Sequence, residues 1–188
     1  MKYVTTAFLL AAAHGTAQSM TDLGTLGGNY TYPYAVSADG SVIVGHSGNS
    51  GNQGRAFRWT AAGGMTDLGT LGGDYSYAQA ITADGSVVVG EAYNASNQGR
   101  AFRWTSAGMT DLGTLGGNYS YAYAVSADGS VVVGYAYNAS NQGRAFRWTS
   151  GGMTDLGTLG GNYSYARAVS ADGSVVVGEA YNASNQGR

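Results

Sequence analysis

An all-β fold, a β-propeller of four-stranded antiparallel blades, is what this 188-residue sequence predicts, and three observations carry the prediction. A unit of about 44 residues recurs four times, with Met-Thr-Asp-Leu-Gly-Thr-Leu-Gly-Gly starting at Met20, Met65, Met109 and Met153. Inside each unit the apolar stretches are short and rich in Val, Tyr, Phe and Trp, and glycine spacing leaves no period of 3.6 for a helix. Asp-Gly and Gly-Gly pairs punctuate those stretches, as tight turns between strands require. A single four-stranded sheet cannot bury both faces, so repeated units stack and share seams. An antiparallel solenoid or prism is the alternative architecture, but tight Asp-Gly hairpins build separate meandering sheets more readily than continuous coils.

In chain order, residues 1–17 read as a secretory leader. One lysine, the apolar run Ala7 to Ala13 and a small-x-small site ending at Ala17 predict cleavage before Gln18. The run is far shorter than the ~20 residues that span a bilayer, so this segment inserts nothing into a membrane. The competing reading takes Ala7-Phe8 as a degenerate copy of the Ala-Phe found later in every unit. The repeat domain follows over 18–188, and the third unit shows its pattern best. Strand one covers Tyr121 to Ser126, and Ala127-Asp128-Gly129 turns into strand two, Ser130 to Tyr137, with its valine run. A polar loop leads to strand three, Arg144 to Thr149, and Ser150-Gly151-Gly152 turns into strand four, Met153 to Leu159. Phe146 and Trp148 fall on one face of strand three, where a seam would bury them. A three-residue turn would place Arg147 opposite Asp155, Arg103 opposite Asp111 and, across a longer loop, Arg58 opposite Asp67. Such cross-strand charge pairs are worth ~0.2–1 kcal/mol each. Asp22 finds no arginine before it. The chain stops at Arg188, just before the Ala-Phe-Arg-Trp that its own pattern calls for next, which points to a piece of a larger ring.

Ala56-Phe57-Arg58-Trp59-Thr60 followed by Met65 to Gly73, with counterparts at 101 and 145, resembles the HAF-type extracellular repeat of bacteria. The histidine of that pattern is replaced by Arg55, Arg100 and Arg144. The resemblance implies a secreted or surface-displayed protein of the adhesin or autotransporter-passenger kind, with an outer-membrane domain downstream, and implies no enzymatic activity.

Composition excludes several chemistries. Nine basic against eleven acidic residues give a net charge of −2, without the basic stripe of a nucleic-acid surface. The absence of cysteine removes disulfides, thiolate metal sites and a cysteine nucleophile. Two histidines, His14 and His46, stand apart and suggest no metal site, and the glycine pairs lack the lysine and helix of a phosphate loop. No cofactor is expected. Eight of the eleven acids occupy repeated slots, Asp22, Asp67, Asp111 and Asp155 in one series and Asp39, Asp84, Asp128 and Asp172 in the hairpin turns.

Candidate binding residues come from the two slots where the copies differ. One reads Tyr34, Gln79, Tyr123 and Arg167, the other His46, Glu91, Tyr135 and Glu179, amid nearly constant neighbours. Tyrosines at 30, 32, 75, 77, 119, 121, 163 and 165 add an aromatic rim suited to seam packing or to recognition of proteins and glycans. The expected function is therefore non-catalytic binding or display toward a protein or glycan surface ligand. Lectin-like glycan binding by the repeated tyrosines is the nearest alternative. A channel-centred hydrolase or lyase using Glu91 and Glu179 is the more distant one.

Overall fold

The computed structural model describes residues 8–11 and 19–188, and every regular element in it is a strand. A short ladder joins β1 (Phe8–Ala11) to β2 (Ser19–Asp22). Three complete meanders follow, each a four-stranded antiparallel sheet in chain order. They are β3 (Gly27–Val36) to β6 (Gly64–Asp67), then β7 (Gly72–Ile81), β8 (Val88–Asn94), β9 (Gly99–Thr105) and β10 (Gly108–Asp111), then β11 (Gly116–Val125), β12 (Val132–Asn138), β13 (Gly143–Thr149) and β14 (Gly152–Asp155). Within the first, β4 is Val42–Asn49 and β5 is Gly54–Thr60. A last pair, β15 (Gly160–Val169) and β16 (Val176–Asn182), repeats the first two strands of a blade.

Strand two of each of the first three blades is apolar on both faces because it is covered on both, whereas Val175 and Val177 of the last pair are exposed. Val42 and Val44 pack with Val88 and Phe102 of the next blade, while Ile43 packs backwards with Leu23, Phe57 and Trp59. The seam between the second and third blades repeats this with Val87, Val89, Val132, Phe146 and Trp148. Phe57, Phe102 and Phe146 are fully buried. Seams built from Val, Leu, Phe and Trp are thus as the sequence predicts. The hairpin turns also stand where expected. Ser126 N–H donates to Val131 C=O at 2.9 Å, and Gly129 takes a φ of 71° that only glycine adopts without strain.

The two largest boundary differences from the sequence reading lie in strands one and four. Strand one starts at Gly116 instead of Tyr121, and strand four ends at Asp155, because Asp155 Oδ1 accepts the Gly157 N–H at 2.7 Å and turns the chain out of the ladder. The expected charge pairs Arg58–Asp67, Arg103–Asp111 and Arg147–Asp155 are corrected by the register. Thr149 pairs with Gly152, one residue earlier than a three-residue turn would give, so Arg147 faces Thr154 and Phe146 faces Asp155. Arg103 likewise faces Thr110, and Arg58 faces Thr66. A one-residue slip moves every side chain to the other face. Asp67 is paired instead with Arg55 at 3.3 Å and Asp111 with Arg100 at 3.8 Å, the arginines at the start of strand three. Arg103 and Arg147 reach the next blade, donating to Gly129 C=O at 3.0 Å and Gly173 C=O at 3.4 Å.

The β1–β2 ladder sets Phe8 opposite Asp22, the same register as Phe57 with Asp67 and Phe102 with Asp111. That is the pairing a degenerate copy of strands three and four would form. The leader cleavage expected before Gln18 falls outside the described residues.

Candidate functional site

The first two strands of each blade carry two irregularities, and the second positions the site. Between Ala122↔Gly134 and Ala124↔Val133 the pairing skips Tyr123, a β-bulge that recurs at Tyr34, Gln79 and Arg167. Bulges re-aim side chains away from the ladder. The bulge depends on the glycine opposite, since a Cβ at Gly134 would collide with the Tyr121 carbonyl oxygen, and Gly45, Gly90 and Gly178 repeat the contact. Glycine in the valine strand is thus the local reason the variable side chain leaves the seam.

The structure brings the two variable slots together. Tyr34 lies on His46 with ring centroids 5.4 Å apart, Tyr123 stacks on Tyr135 at 5.8 Å, and Arg167 Nε meets Glu179 Oε1 at 2.9 Å. In the second blade Gln79 turns toward the third, where its Oε1 accepts the Tyr121 hydroxyl at 3.0 Å. Contacts between blades join these pairs into one row. His46 packs edge-on to Tyr77 at 4.9 Å, Tyr135 packs edge-on to Tyr165 at 5.1 Å, and the Arg167 guanidinium lies 4.8 Å from the Tyr123 centroid. The repeated tyrosines belong to this row, not to the apolar seam clusters, and Tyr32, Tyr34, Tyr75 and Tyr163 are exposed.

Electrostatically the row is mostly neutral. Burial pushes the Tyr77 hydroxyl up to about 12, with Tyr93 and Glu91 adding to the effect, and burial likewise raises Tyr135 to about 12. Tyr119 and Tyr121 are raised further by burial and by the nearby Glu91 carboxyl. Burial lowers His46, keeping its imidazole neutral, and its Nδ1 is enclosed without a hydrogen-bond partner. Burial raises Glu91 while the Tyr119 hydroxyl pulls the other way. Glu91 and Glu179 have separate surroundings: Glu91 is enclosed among tyrosines, whereas Glu179 is exposed and paired with Arg167. Among the described residues no three His, Asp or Glu side chains are grouped to hold a metal, and no helix is long and apolar enough to cross a membrane.

Sequence reasoning missed a second set of residues, the buried hydroxyls between flanking tyrosines. Ser76, Ser120 and Ser164 each donate to a carbonyl at 2.6 Å (Gly69, Gly113, Gly157). Each also accepts a strand-three N–H of the preceding blade, from Ala56, Ala101 and Ala145. Thr31 fills the same slot in the first blade and bonds Gly24 C=O at 2.8 Å. The readable signal was there: this slot holds only Ser or Thr in a Tyr-x-Tyr frame that all four units keep.

No family model matches the chain, and no curated protein matches it. Two solved structures are similar to it in fold. TolB from Acinetobacter baumannii gives a TM-score of 0.61 at 13% identity, over 90% of this chain and 42% of TolB. The putative TolB from Agrobacterium tumefaciens gives 0.62 at 18% identity, over 86% of this chain and 57% of the other. The chain spans about half the length of these two structures. TolB is a β-propeller, and the four-stranded antiparallel sheets described above are propeller blades.

Proposed function

We propose that this chain is a non-catalytic binding and display module of a secreted or cell-surface bacterial protein, of the HAF repeat kind, and that the aromatic row is its contact surface. One observation carries the reading. The slots that differ between otherwise near-identical units are the ones that the bulges gather into a single row across the blades. Constant residues make the seams, the turns and the hydroxyl bonds, while the variable ones meet each other at a partly exposed surface. Tyrosine-rich surfaces of this kind offer large contact area with polar tips at low entropic cost, which suits protein or glycan partners.

Peptide and glycan arrays probed with the wild-type chain and with Tyr34→Ser/Tyr123→Ser test the proposal. The expected result is a signal on one array that falls about tenfold or more in the variant, which is ~1.4 kcal/mol of binding energy. Silence on both arrays, or a signal that the variant retains, overturns it. A signal confined to the glycan array identifies the lectin-like form.

A further inference from the structure

The last two strands hold a guanidinium of their own. Arg167, on the β15 bulge, places Nε 2.9 Å from Glu179 Oε1. Its guanidinium carbon lies 4.8 Å from the Tyr123 ring centroid and 5.2 Å from that of Tyr165. The seat has three walls: a carboxylate from strand two, a tyrosine from strand one of the same blade, and the bulge tyrosine of the blade before. A cation over aromatic faces and in contact with a carboxylate is held by both attractions at once.

The second blade repeats those three walls and changes what fills them. Glu91 stands in the slot of Glu179, Tyr77 in that of Tyr165, and Tyr34 in that of Tyr123, but Gln79 replaces Arg167. Gln79 is also turned aside, toward the Tyr121 hydroxyl. Glu91 is 5% exposed, its Oε1 has no hydrogen-bond partner, and the ionisable groups acting on it are tyrosines. The Tyr119 hydroxyl bonds the carboxyl, but a buried carboxylate with one oxygen unpaired is still costly, and a cation relieves that cost. On the open side, Tyr34 is 51% exposed.

We propose that the second blade binds an external guanidinium, the side chain of an arginine presented by a peptide or protein partner, against Glu91 and between Tyr34 and Tyr77. The inference rests on the row being a contact surface, and it names the chemistry that this surface selects.

The test titrates the chain with an acetyl-Gly-Arg-Gly-amide peptide and with its citrulline analogue, which keeps the shape and loses the charge. Binding is followed by amide and tyrosine NMR shifts. The arginine peptide is expected to shift Tyr34, Tyr77 and Gly99, and the citrulline peptide is not. Gln79→Arg, which supplies the blade with its own guanidinium, is expected to weaken binding about tenfold or more, as is Glu91→Gln. Should Glu91→Gln fail to fold, Gln79→Arg still decides the matter. The converse substitution, Arg167→Gln, is expected to open a second seat and raise the stoichiometry from one peptide to two. Equal binding of the citrulline peptide, undiminished binding to Gln79→Arg, or no shifts at all would overturn the inference. An array signal lost in the Tyr34/Tyr123 variant, together with a silent arginine titration, sinks this inference and leaves the broader reading standing.

Discussion

Removing one hydroxyl, by Ser120→Ala, should weaken the joint between the second and third blades far more than its size suggests. Ser120 is fully buried, donates to Gly113 C=O at 2.6 Å and accepts the Ala101 N–H at 2.8 Å. Alanine leaves that carbonyl and that N–H without their hydroxyl partner. The Ala101 N–H is the buried donor left unsatisfied, which costs about 1–3 kcal/mol, while the carbonyl of exposed Gly113 can turn to water. Ser120→Thr is the matched control, because Thr31 occupies the equivalent slot and keeps the same bond. Urea unfolding followed through the fluorescence of Trp59, Trp104 and Trp148 reads the effect. With a slope of about 1–3 kcal/mol/M the midpoint should fall by roughly 1 M. Hydrogen exchange at the Ala101 amide should accelerate with it. A loss below about 0.5 kcal/mol, the range of ordinary surface changes, would refute the idea that the hydroxyl joins the blades, as would a threonine variant no better than alanine.

Three further perturbations follow from the same geometry. Gly134→Ala drives a Cβ into the Tyr121 carbonyl, and a loss of about 3 kcal/mol or more is expected in the same urea assay, with the Tyr121 and Tyr135 resonances displaced. Asp39, Asp84, Asp128 and Asp172 are held down to about 2 from an ordinary 3.8, chiefly by the Ser or Thr hydroxyl two residues earlier and then by the N–H and hydroxyl of the following serine. Their folded value lies below the unfolded one, so their stabilisation is present above about pH 4 and is lost as pH falls toward 2. Asp128→Asn should therefore melt lower than wild type at pH 7, with the gap closing toward pH 2. Glu91 has the opposite sign: burial raises its folded value above the ordinary 4.5, so its cost appears as pH rises. Glu91→Gln should raise the melting temperature at pH 7 and leave it unchanged near pH 4.

Much of the fold was legible because repetition makes local chemistry unambiguous. The Asp-Gly turns, the valine run and the Phe146/Trp148 alternation each have one satisfactory backbone conformation, and the near-copies state the first two four times and the last three times. The charge pairs misled because register depends on a turn one residue shorter than Ser150-Gly151-Gly152 suggests. The variable slots were visible as differences between copies. Their gathering into one row was not, since it depends on a bulge that only the pairing of Ala122 with Gly134 and Ala124 with Val133 creates.

Periodicity, glycine placement and side-chain alternation settled by themselves that this is a β protein of repeated blades, since strand, turn and buried face are properties of neighbours along the chain. Which arginine meets which aspartate, why Ser120 is indispensable to a joint, and why Glu91 lies enclosed while Glu179 holds a cation were decided in three dimensions. Those outcomes hang on contacts between residues from about eleven to about forty positions apart, where a shift of one position in pairing exchanges the two faces of a sheet.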